Sequence, residues 1–443
     1  MIFSPPVGKQ LDSINLAFAR QNIWEGSVRS SKTISSLVRW LTFVLTAPPG
    51  NLLMVGKTER TLKRNILDVL AELLPTGAFR HPVGAGECFI YGRRIYIAGA
   101  NDERAGDRIR GMTLVGAYVD EISVIPESFY TMLLSRLSEP NAKLFGTTNP
   151  DSPRHWLKLK YLDRAKTWLN HDGKIKRAAE GLDLARFSFR LADNPSLSPA
   201  YVAALALEYT GLWKKRFIDG LWVLAEGAIY DSFDSAAGGP HVVTTLPEFE
   251  QFWLGIDYGT TNPFVALLFG LGEDERIYVA REYRWDSKKQ RRQLSDAQYS
   301  AALKGWIGEL EGQRLAPRGQ TIMEMLDRIY VDPSAASFSR QLYLDGWFGV
   351  HPARNEVEDG IRAVSTLLNA DRLKLHESCD GTIQEKGNYV WDAKAQEKGI
   401  DKPIKVDDHG PDAERYGIYS QKRIWSPWVA SFNDADEEEL QAA

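Results

Sequence analysis

Four segments in the first half of the chain are apolar almost without a break: Asn51–Lys57 (NLLMVGK), Arg94–Ala100 (RIYIAGA), Leu114–Asp120 (LVGAYVD) and Lys143–Asn149 (KLFGTTN). A strand with one wet face alternates apolar and polar residues, so a continuous apolar run belongs to a strand covered on both faces. Helical periodicity fills the intervals. Ile34, Leu37, Val38 and Leu41 recur at i, i+3, i+4 and i+7, and a second helical stretch runs about Glu59–Leu74 until Pro75 and Gly77 stop it. Buried strands alternating with helices predict an α/β layer with a mainly parallel sheet. From Pro150 to about Gly220 the pattern reads as helical and irregular. Its cations Arg154, Lys158, Lys160, Arg164, Lys166, Lys174, Lys176 and Arg177 read as a solvated helical face, with contact to a DNA backbone as the alternative.

A second pattern follows. Residues 221–250 are rich in Gly, Ala and Ser, and Ala236–Pro240 (AAGGP) reads as a hinge. Three strand candidates come next, Phe252–Tyr258, Phe264–Leu271 and Arg276–Trp285, then a helix over 293–310 and a strand Arg328–Asp332. Three sequential strands, a helix and a fourth strand predict a mixed sheet. The expected organisation is a domain over 1–220, a linker over 221–250, a second domain over 251–425 and an acidic tail over 426–443, ending in DADEEELQAA.

Gly26-Ser27-Val28-Arg29-Ser30-Ser31-Lys32-Thr33 follows the apolar Ile23-Trp24 and opens the first helix. It matches G-x-x-x-x-G-K-[ST] except that Ser31 stands at the second Gly, which narrows the loop's conformational freedom. In that pattern backbone N–H groups and the helix N-terminus cradle phosphates. Lys32 would neutralise them and Thr33 would hold Mg²⁺. The strand Leu114–Val119 delivers Asp120 and Glu121 to its C-terminal end. That arrangement suits ATP hydrolysis, with Asp120 holding Mg²⁺ directly or through water and Glu121 polarising the attacking water; acids at a helix start are the plainer reading. Thr147-Thr148-Asn149 can sense the γ-phosphate or serve as turn chemistry before Pro150. Arg108 and Arg110 are arginine-finger candidates, in cis or from a neighbouring subunit.

In the second pattern two apolar strands end in aspartate, Asp257 (GIDYG, with Gly259 and Thr260 turning into the next strand) and Asp332 (YVDPS), and Asp412 opens a late helix in DDHGPDA. Converging carboxylates are hard oxygen ligands for Mg²⁺ or Mn²⁺. Two such ions about 3.5–4 Å apart support phosphodiester cleavage. Glu282 reads as a further ligand or as an edge-strand charge. Arg284, Lys288, Lys289, Arg291 and Arg292 form a candidate phosphate-contacting patch.

Charge sets a limit on these readings. Fifty-four Lys and Arg face 58 Asp and Glu, a net charge of −4. A uniformly basic nucleic-acid coat is excluded, and DNA contact needs clustered cations or metal over clustered acids. Cys88 and Cys379 have neither metal-ligand spacing nor a disulfide framework, which fits a reducing cytosol. No leader pattern opens the chain, and the apolar stretch Leu37–Thr46, interrupted by Arg39, is too short to span a bilayer. The expectation is a cytoplasmic protein and no membrane.

Taken together, GSVRSSKT (26–33), LVGAYVDE (114–121), TTN (147–149), GIDYG (255–259), YVDPSA (330–335) and DDHGPDAERYG (407–417) resemble the large terminase subunit of tailed bacteriophages, in order and spacing across nearly the whole chain. The resemblance implies an ASCE-type P-loop ATPase domain joined to an RNase H-like nuclease. It implies ATP and Mg²⁺ (or Mn²⁺ at the nuclease site), with Gly26, Ser31, Lys32 and Thr33 at the phosphates, Asp120 at Mg²⁺ and Glu121 as base. Thr147, Thr148 and Asn149 become the coupling motif, and Asp257, Asp332 and Asp412 the nuclease metal ligands. It further implies Gln10 as an adenine reader, and Arg29 and Arg110 as functional arginines. Implied partners are double-stranded DNA, a portal protein, a small terminase subunit and further copies in a ring on the portal, the free chain being either monomer or oligomer. The implied activity is ATP-driven packaging with cutting of concatemeric DNA. Two rivals predict different behaviour: a helicase-like or repair ATPase fused to a nuclease would unwind strands, and a nucleotide-switched scaffold would bind ATP without turnover.

Overall fold

A computed structural model describes residues 5–82, 84–259 and 262–429. Thr260 and the acidic tail from residue 430 onward lie outside them. The chain divides into two compact units. The first comprises the described part of Met1–Val202 with Leu212–Leu224 and Gln396–Ile400; the second comprises Ala203–Gly211, Ala225–Ala395 and the described part of Asp401–Ala443.

The first unit is built on a ten-stranded sheet: β1 Gln21–Gly26, β2 Asn51–Gly56, β3 Phe79–Arg80, β4 Glu87–Ile90, β5 Arg93–Gly99, β6 Leu114–Val119, β7 Lys143–Thr148, β8 Ala165–Leu169, β9 Ile175–Arg177 and β10 Leu182–Phe189. The order is β3-β4-β5-β2-β6-β7-β1-β10-β8-β9. From β5 through β8 every neighbouring pair is parallel, and only the outer pairs β3–β4, β4–β5 and β8–β9 are antiparallel. The apolar runs behave as expected: β1 and β6 are buried along their full length. The helix Lys32–Thr46 covers one face with Leu37, Trp40, Phe43 and Val44, and Trp40 packs 5.8 Å from Phe145 of β7, centroid to centroid.

One expectation is corrected here. Residues 165–189 are not helical; they form β8, β9 and β10, and β10 is a buried strand beside β1. Arg186 disguised it. A cation in the middle of a strand argues for solvent, but Arg186 Nε donates to Glu25 Oε1 of β1 at 2.5 Å. Glu25 is itself fully buried and also accepts from Ser188 Oγ and Trp222 Nε1. A buried pair that is fully hydrogen-bonded can sit inside a sheet.

The second unit carries a mixed sheet of β11 Val242–Val243, β12 Phe249–Asp257, β13 Phe264–Gly272, β14 Ile277–Trp285, β15 Leu326–Val331, β16 Val350–Pro352 and β17 Leu373–His376. Its order is β11-β17-β14-β13-β12-β15-β16. β12, β13 and β14 form an antiparallel meander, and β15 pairs parallel to β12. The helix Asp296–Leu310 packs Tyr299, Leu303 and Ile307 into the core of this unit. β11 falls inside the stretch read as a linker, because Val242 and Val243 pair with Leu375 and His376. Both cysteines are buried, and burial pushes the Cys88 thiol up to about 12. No helix among the described residues is long and apolar enough to cross a membrane.

Candidate functional sites

In the first unit β1 runs directly into the turn that opens the helix Lys32–Thr46. Gly26 has φ +140°, and a Cβ there would stand 2.0 Å from the Phe189 carbonyl oxygen of β10. That close approach lets Ser27 N–H donate to the same carbonyl at 3.1 Å, while Val28 N–H donates to Phe217 O. Ser31 lies at φ 69° and Arg29 at φ 54°. Ser31 therefore holds, with a Cβ, the left-handed conformation for which the pattern uses Gly, at a cost of about 1–2 kcal/mol. Gly26→Ala is expected to lower stability by more than about 2 kcal/mol. Ser31→Gly trades strain against backbone entropy and should change it by less than about 1 kcal/mol. Thermal melts of the two variants check both; a large loss on Ser31→Gly would show the serine side chain to be structurally required.

Lys32 starts the helix with its side chain buried. Its Nζ donates to Asn149 Oδ1 at 2.6 Å and Ser27 O at 3.2 Å. Burial lowers its pKa, opposed by the charges of Glu121 and Asp120. Thr33 follows it, half-buried, in the first helical turn. Asp120 stands just past β6, and burial, reinforced by Glu121, pushes its carboxyl up to about 6. It accepts hydrogen bonds from Thr147 Oγ1 at 3.0 Å and Asn65 Nδ2 at 3.2 Å. Glu121 has φ 53°. Its two carboxylate oxygens accept from Asn149 Nδ2 at 3.1 Å and Asn149 N–H at 3.0 Å. Thr147 Oγ1 accepts from Glu121 N–H, and Thr148 Oγ1 from Ser123 N–H.

Sheet order explains this convergence. β7 lies between β1 and β6, so the triplet at its end bridges the loop lysine on one side and the acid pair on the other. Asn149 does so with one side chain: its carbonyl oxygen takes Lys32 and its amide takes Glu121.

Other sequence candidates have contacts elsewhere. Gln10 is buried on the helix Lys9–Leu16 and accepts from Val7 N–H at 3.3 Å. Arg110 is exposed and pairs with Asp107 at 3.0 Å, and Arg108 donates to Gly99 O. Arg29 is exposed at the turn, where its carbonyl accepts from Asn194 Nδ2 at 2.7 Å. Asn65 was not legible in the sequence. It reaches Asp120 from a π-helical turn, Lys63–Leu67, set inside the run read as one helix. Turns of this kind recur at functional sites.

In the second unit the register gathers the aspartates. Ile256 of β12 pairs with Val331 of β15, so Asp257 and Asp332 leave adjacent parallel strands side by side, at the ends of backbones that run about 4.8 Å apart in any such pair. Asp332 N–H donates to Ile256 O at 3.0 Å. The helix His409–Ser420 lies directly on β12 because Gly255 leaves room: a Cβ there would stand 2.4 Å from Ala413 O. Its first turn presents His409, whose Nδ1 is 2.9 Å from Asp257 Oδ2, and Asp412. Burial chiefly pushes Asp257 up to about 6; His409 opposes that rise, while Asp412 and Asp332 add to it.

Asp412 is balanced by protein cations, Lys405 Nζ at 2.7 Å and Arg415 Nη2 at 3.1 Å, and Lys405 also lies 3.0 Å from Asp408. Among the described residues no three His, Cys, Asp or Glu side chains are drawn into a metal-holding cluster. The donor set nevertheless suits a hard divalent cation. It consists of Asp257 and Asp332 at the ends of adjacent strands and Asp412 in the first turn of the helix laid over them, and burial holds the Asp257 carboxyl above the usual carboxylate range. Glu282 lies on β14 beyond the stretch that pairs with β17, and its carboxylate is engaged within the unit: it pairs with Arg284 at 2.5 Å and accepts from Thr382 N–H. Arg284 is also bound by Glu385, so this part of the expected phosphate patch is already engaged. Neither Lys405 nor the pairing of His409 with Asp257 was read from the sequence, although His409 lies one turn before Asp412 and that spacing put both on one helix face.

The family described as terminase large subunit, T4likevirus-type, N-terminal, matches residues 23–237. The large terminase subunit of Escherichia phage T5 is 25% identical over 311 residues, covering 67% of this chain; the match spans only 62% of that protein's length. The large terminase of a thermophilic bacteriophage, solved in complex with ADP, is 35% identical with a TM-score of 0.80, covering 93% of this chain and 98% of its own. The same thermophilic phage protein in complex with ATP-γ-S gives 34% identity and a TM-score of 0.80.

Proposed function

This chain belongs to the family of phage large terminase subunits, and on that premise we propose that it is a DNA-packaging motor subunit. In this reading ATP hydrolysis in the first unit drives double-stranded DNA into a procapsid, and a metal-dependent endonuclease in the second cuts the concatemer. The observation that carries the reading is the side-chain bridge Lys32–Asn149–Glu121, in which one residue ties the phosphate-loop cation to the acid placed to act on water.

Lys32, with the loop backbone from Gly26 to Ser31, holds the phosphates. Thr33 and Asp120 hold Mg²⁺, which supplies charge neutralisation on the phosphates when bound. Phosphate drawing Lys32 away frees the carbonyl of Asn149, and the constraint on Glu121 changes with it, so Thr147–Asn149 couple nucleotide state to the acid. Gln10, Arg29 and Arg110 are proposed as adenine-reading and arginine contributors; Arg110, exposed on the surface, is suited to act on a neighbouring copy. In the second unit Asp257, Asp332 and Asp412 hold the divalent cation, Mg²⁺ or Mn²⁺, which supplies activation of water and stabilisation of the leaving oxygen. His409 orients Asp257, and Lys405 and Arg415 balance Asp412. Partners on this reading are a portal protein, a small terminase subunit and further copies in a ring, in the host cytoplasm.

The test is phosphate release by the purified full chain with Mg²⁺ and linear double-stranded DNA, alongside plasmid cutting with Mg²⁺ or Mn²⁺ and no ATP. DNA-stimulated turnover that Lys32→Ala reduces by at least about 100-fold, together with metal-dependent cutting, is the expected result. ATP binding without turnover, with or without DNA, would overturn the motor reading.

A further inference from the structure

The charge run read as a solvated helical face divides in two: Lys158 and Lys160 lie on a short helix, Trp156–Lys160, whereas Lys166, Lys176 and Arg177 lie on the strands of a β-hairpin at the edge of the first sheet, with Lys174 at its turn and Arg164 just before it. From Arg164 to Arg177 the chain carries five cations, Arg164, Lys166, Lys174, Lys176 and Arg177, against the single acid Asp172, in a protein whose net charge is −4. All five are exposed. Among the described residues none of them makes an ion pair, whereas their neighbours Lys158 and Lys160 are paired with Asp163 and Glu127, and Asp172 with Arg190.

The register sorts these cations. Trp168 pairs with Lys176 and Thr167 with Arg177; Asn170 N–H donates to Lys174 O and Ala178 N–H to Lys166 O. Side chains directly opposite one another share a face. Lys166, Lys174 and Lys176 therefore lie on the Trp168 face of the ribbon, with Arg177 on the other. Trp168 is fixed from below: its Nε1 donates to Ser188 Oγ at 2.7 Å, and the Arg186 guanidinium lies 4.4 Å from its ring centroid. Lys176 Nζ rests 4.8 Å from the same centroid. The ring thus restrains a lysine whose ammonium still faces solvent, which reduces the entropy lost when an anion is bound.

We infer that the hairpin β8–β9 is a contact surface for the phosphate backbone of double-stranded DNA. The inference rests on the packaging reading and adds to it a specific surface in the ATPase unit. Unpaired cations on an exposed ribbon supply the sequence-independent part of DNA affinity, and the face offers lysines rather than the bidentate amides that read bases. Lysines also blunt free sheet edges against strand pairing, but edge protection does not require an aromatic ring holding one of them in place. An acidic protein partner would suit pairing with a few opposed carboxylates; a line of three lysines on one face suits a regular polyanion.

The experiment compares the native full chain with Lys166→Gln/Lys174→Gln/Lys176→Gln in binding to a fluorescent 40-base-pair duplex, across a salt series. Losing three phosphate contacts should reduce the slope of log K against log salt by about 2–3 and weaken binding at least about tenfold near 0.1 M salt. ATP turnover without DNA should not change. Lys174→Glu alone, at an exposed position beside the hairpin turn, carries the same test if the triple variant is poorly behaved. Unchanged affinity and slope would overturn the inference, as would a variant that aggregates yet keeps its DNA affinity, since that would assign the lysines to edge protection. Loss of binding to poly-glutamate with DNA binding intact would overturn it in favour of an acidic protein. A native chain that binds no duplex would overturn the packaging reading along with it.

Discussion

Glu121→Gln should leave ATP binding within a few-fold of the native chain and lower turnover by about 10²–10⁴-fold, the usual worth of a positioned general base. The substitution is conservative in shape. Gln keeps one carbonyl oxygen to accept from Asn149 and loses one of the two hydrogen bonds that Asn149 makes to the carboxylate. It leaves Lys32, Thr33 and Asp120 in place, so the phosphate and Mg²⁺ contacts proposed for them survive. What disappears is the charge that would polarise water, held at a backbone position with φ 53° that few side chains adopt without cost. A fluorescent nucleotide titration and a phosphate-release assay separate the two effects. Turnover within threefold of native would remove Glu121 from the role and leave Asp120 as the nearest alternative carboxylate. Asn149→Ala, by contrast, should act on the coupling: it severs Lys32 from Glu121 while leaving both charges, so its loss should be smaller and accompany weaker dependence of turnover on DNA.

The parts of this arrangement that were legible in the sequence share one physical property. β6, β12 and β15 are apolar runs that stop abruptly at a carboxylate, and a carboxylate at the end of a buried strand advertises itself because the strand interior excludes charge. The loop before Lys32 was legible for a similar reason, since its residue types answer to local backbone demands, and even the departure at Ser31 corresponds to a real positive φ. What escaped depends on partners distant in sequence. β10 was hidden because Arg186 has its counter-charge on Glu25, far back along the chain, and nothing near Arg186 announces it. Asn65 meets Asp120 only because a π-helical turn re-aims one side chain. Lys405 reaches Asp412 from an irregular segment with no periodicity to read. The charge run was visible, but its face was not, since the same lysines project differently from a helix and from a hairpin.

Asp332→Ala should abolish metal-dependent plasmid cutting, with a loss greater than about 100-fold, because even outer-shell partners of a metal ligand cost 10–100-fold and this residue is proposed as a ligand itself. The fold should tolerate the change. Asp332 is only half-buried, and among the described residues its side chain accepts one hydrogen bond, from Ser334 N–H to Oδ1 at 2.8 Å; its backbone bond to Ile256 O does not involve the carboxylate. Losing that bond should cost about 0.5–1.5 kcal/mol. ATP turnover, proposed for the other unit, should be unaffected, which separates loss of a ligand from loss of structure. Asp257→Asn offers a second reading of the same site. It keeps an oxygen toward His409 but removes the charge that Asp332 and Asp412 repel, so it should gain stability in metal-free buffer near neutral pH while losing cutting. The sign follows from the folded pKa of about 6 lying above the ordinary aspartate value: the charged form is disfavoured on folding, and that penalty grows as pH rises through 4 to 6 and is fully present above it. Cutting that persists in Asp332→Ala with native metal dependence would place the nuclease ligands elsewhere, whereas cutting lost together with the extra stability in Asp257→Asn would mark the three aspartates as a site held under electrostatic strain for a cation.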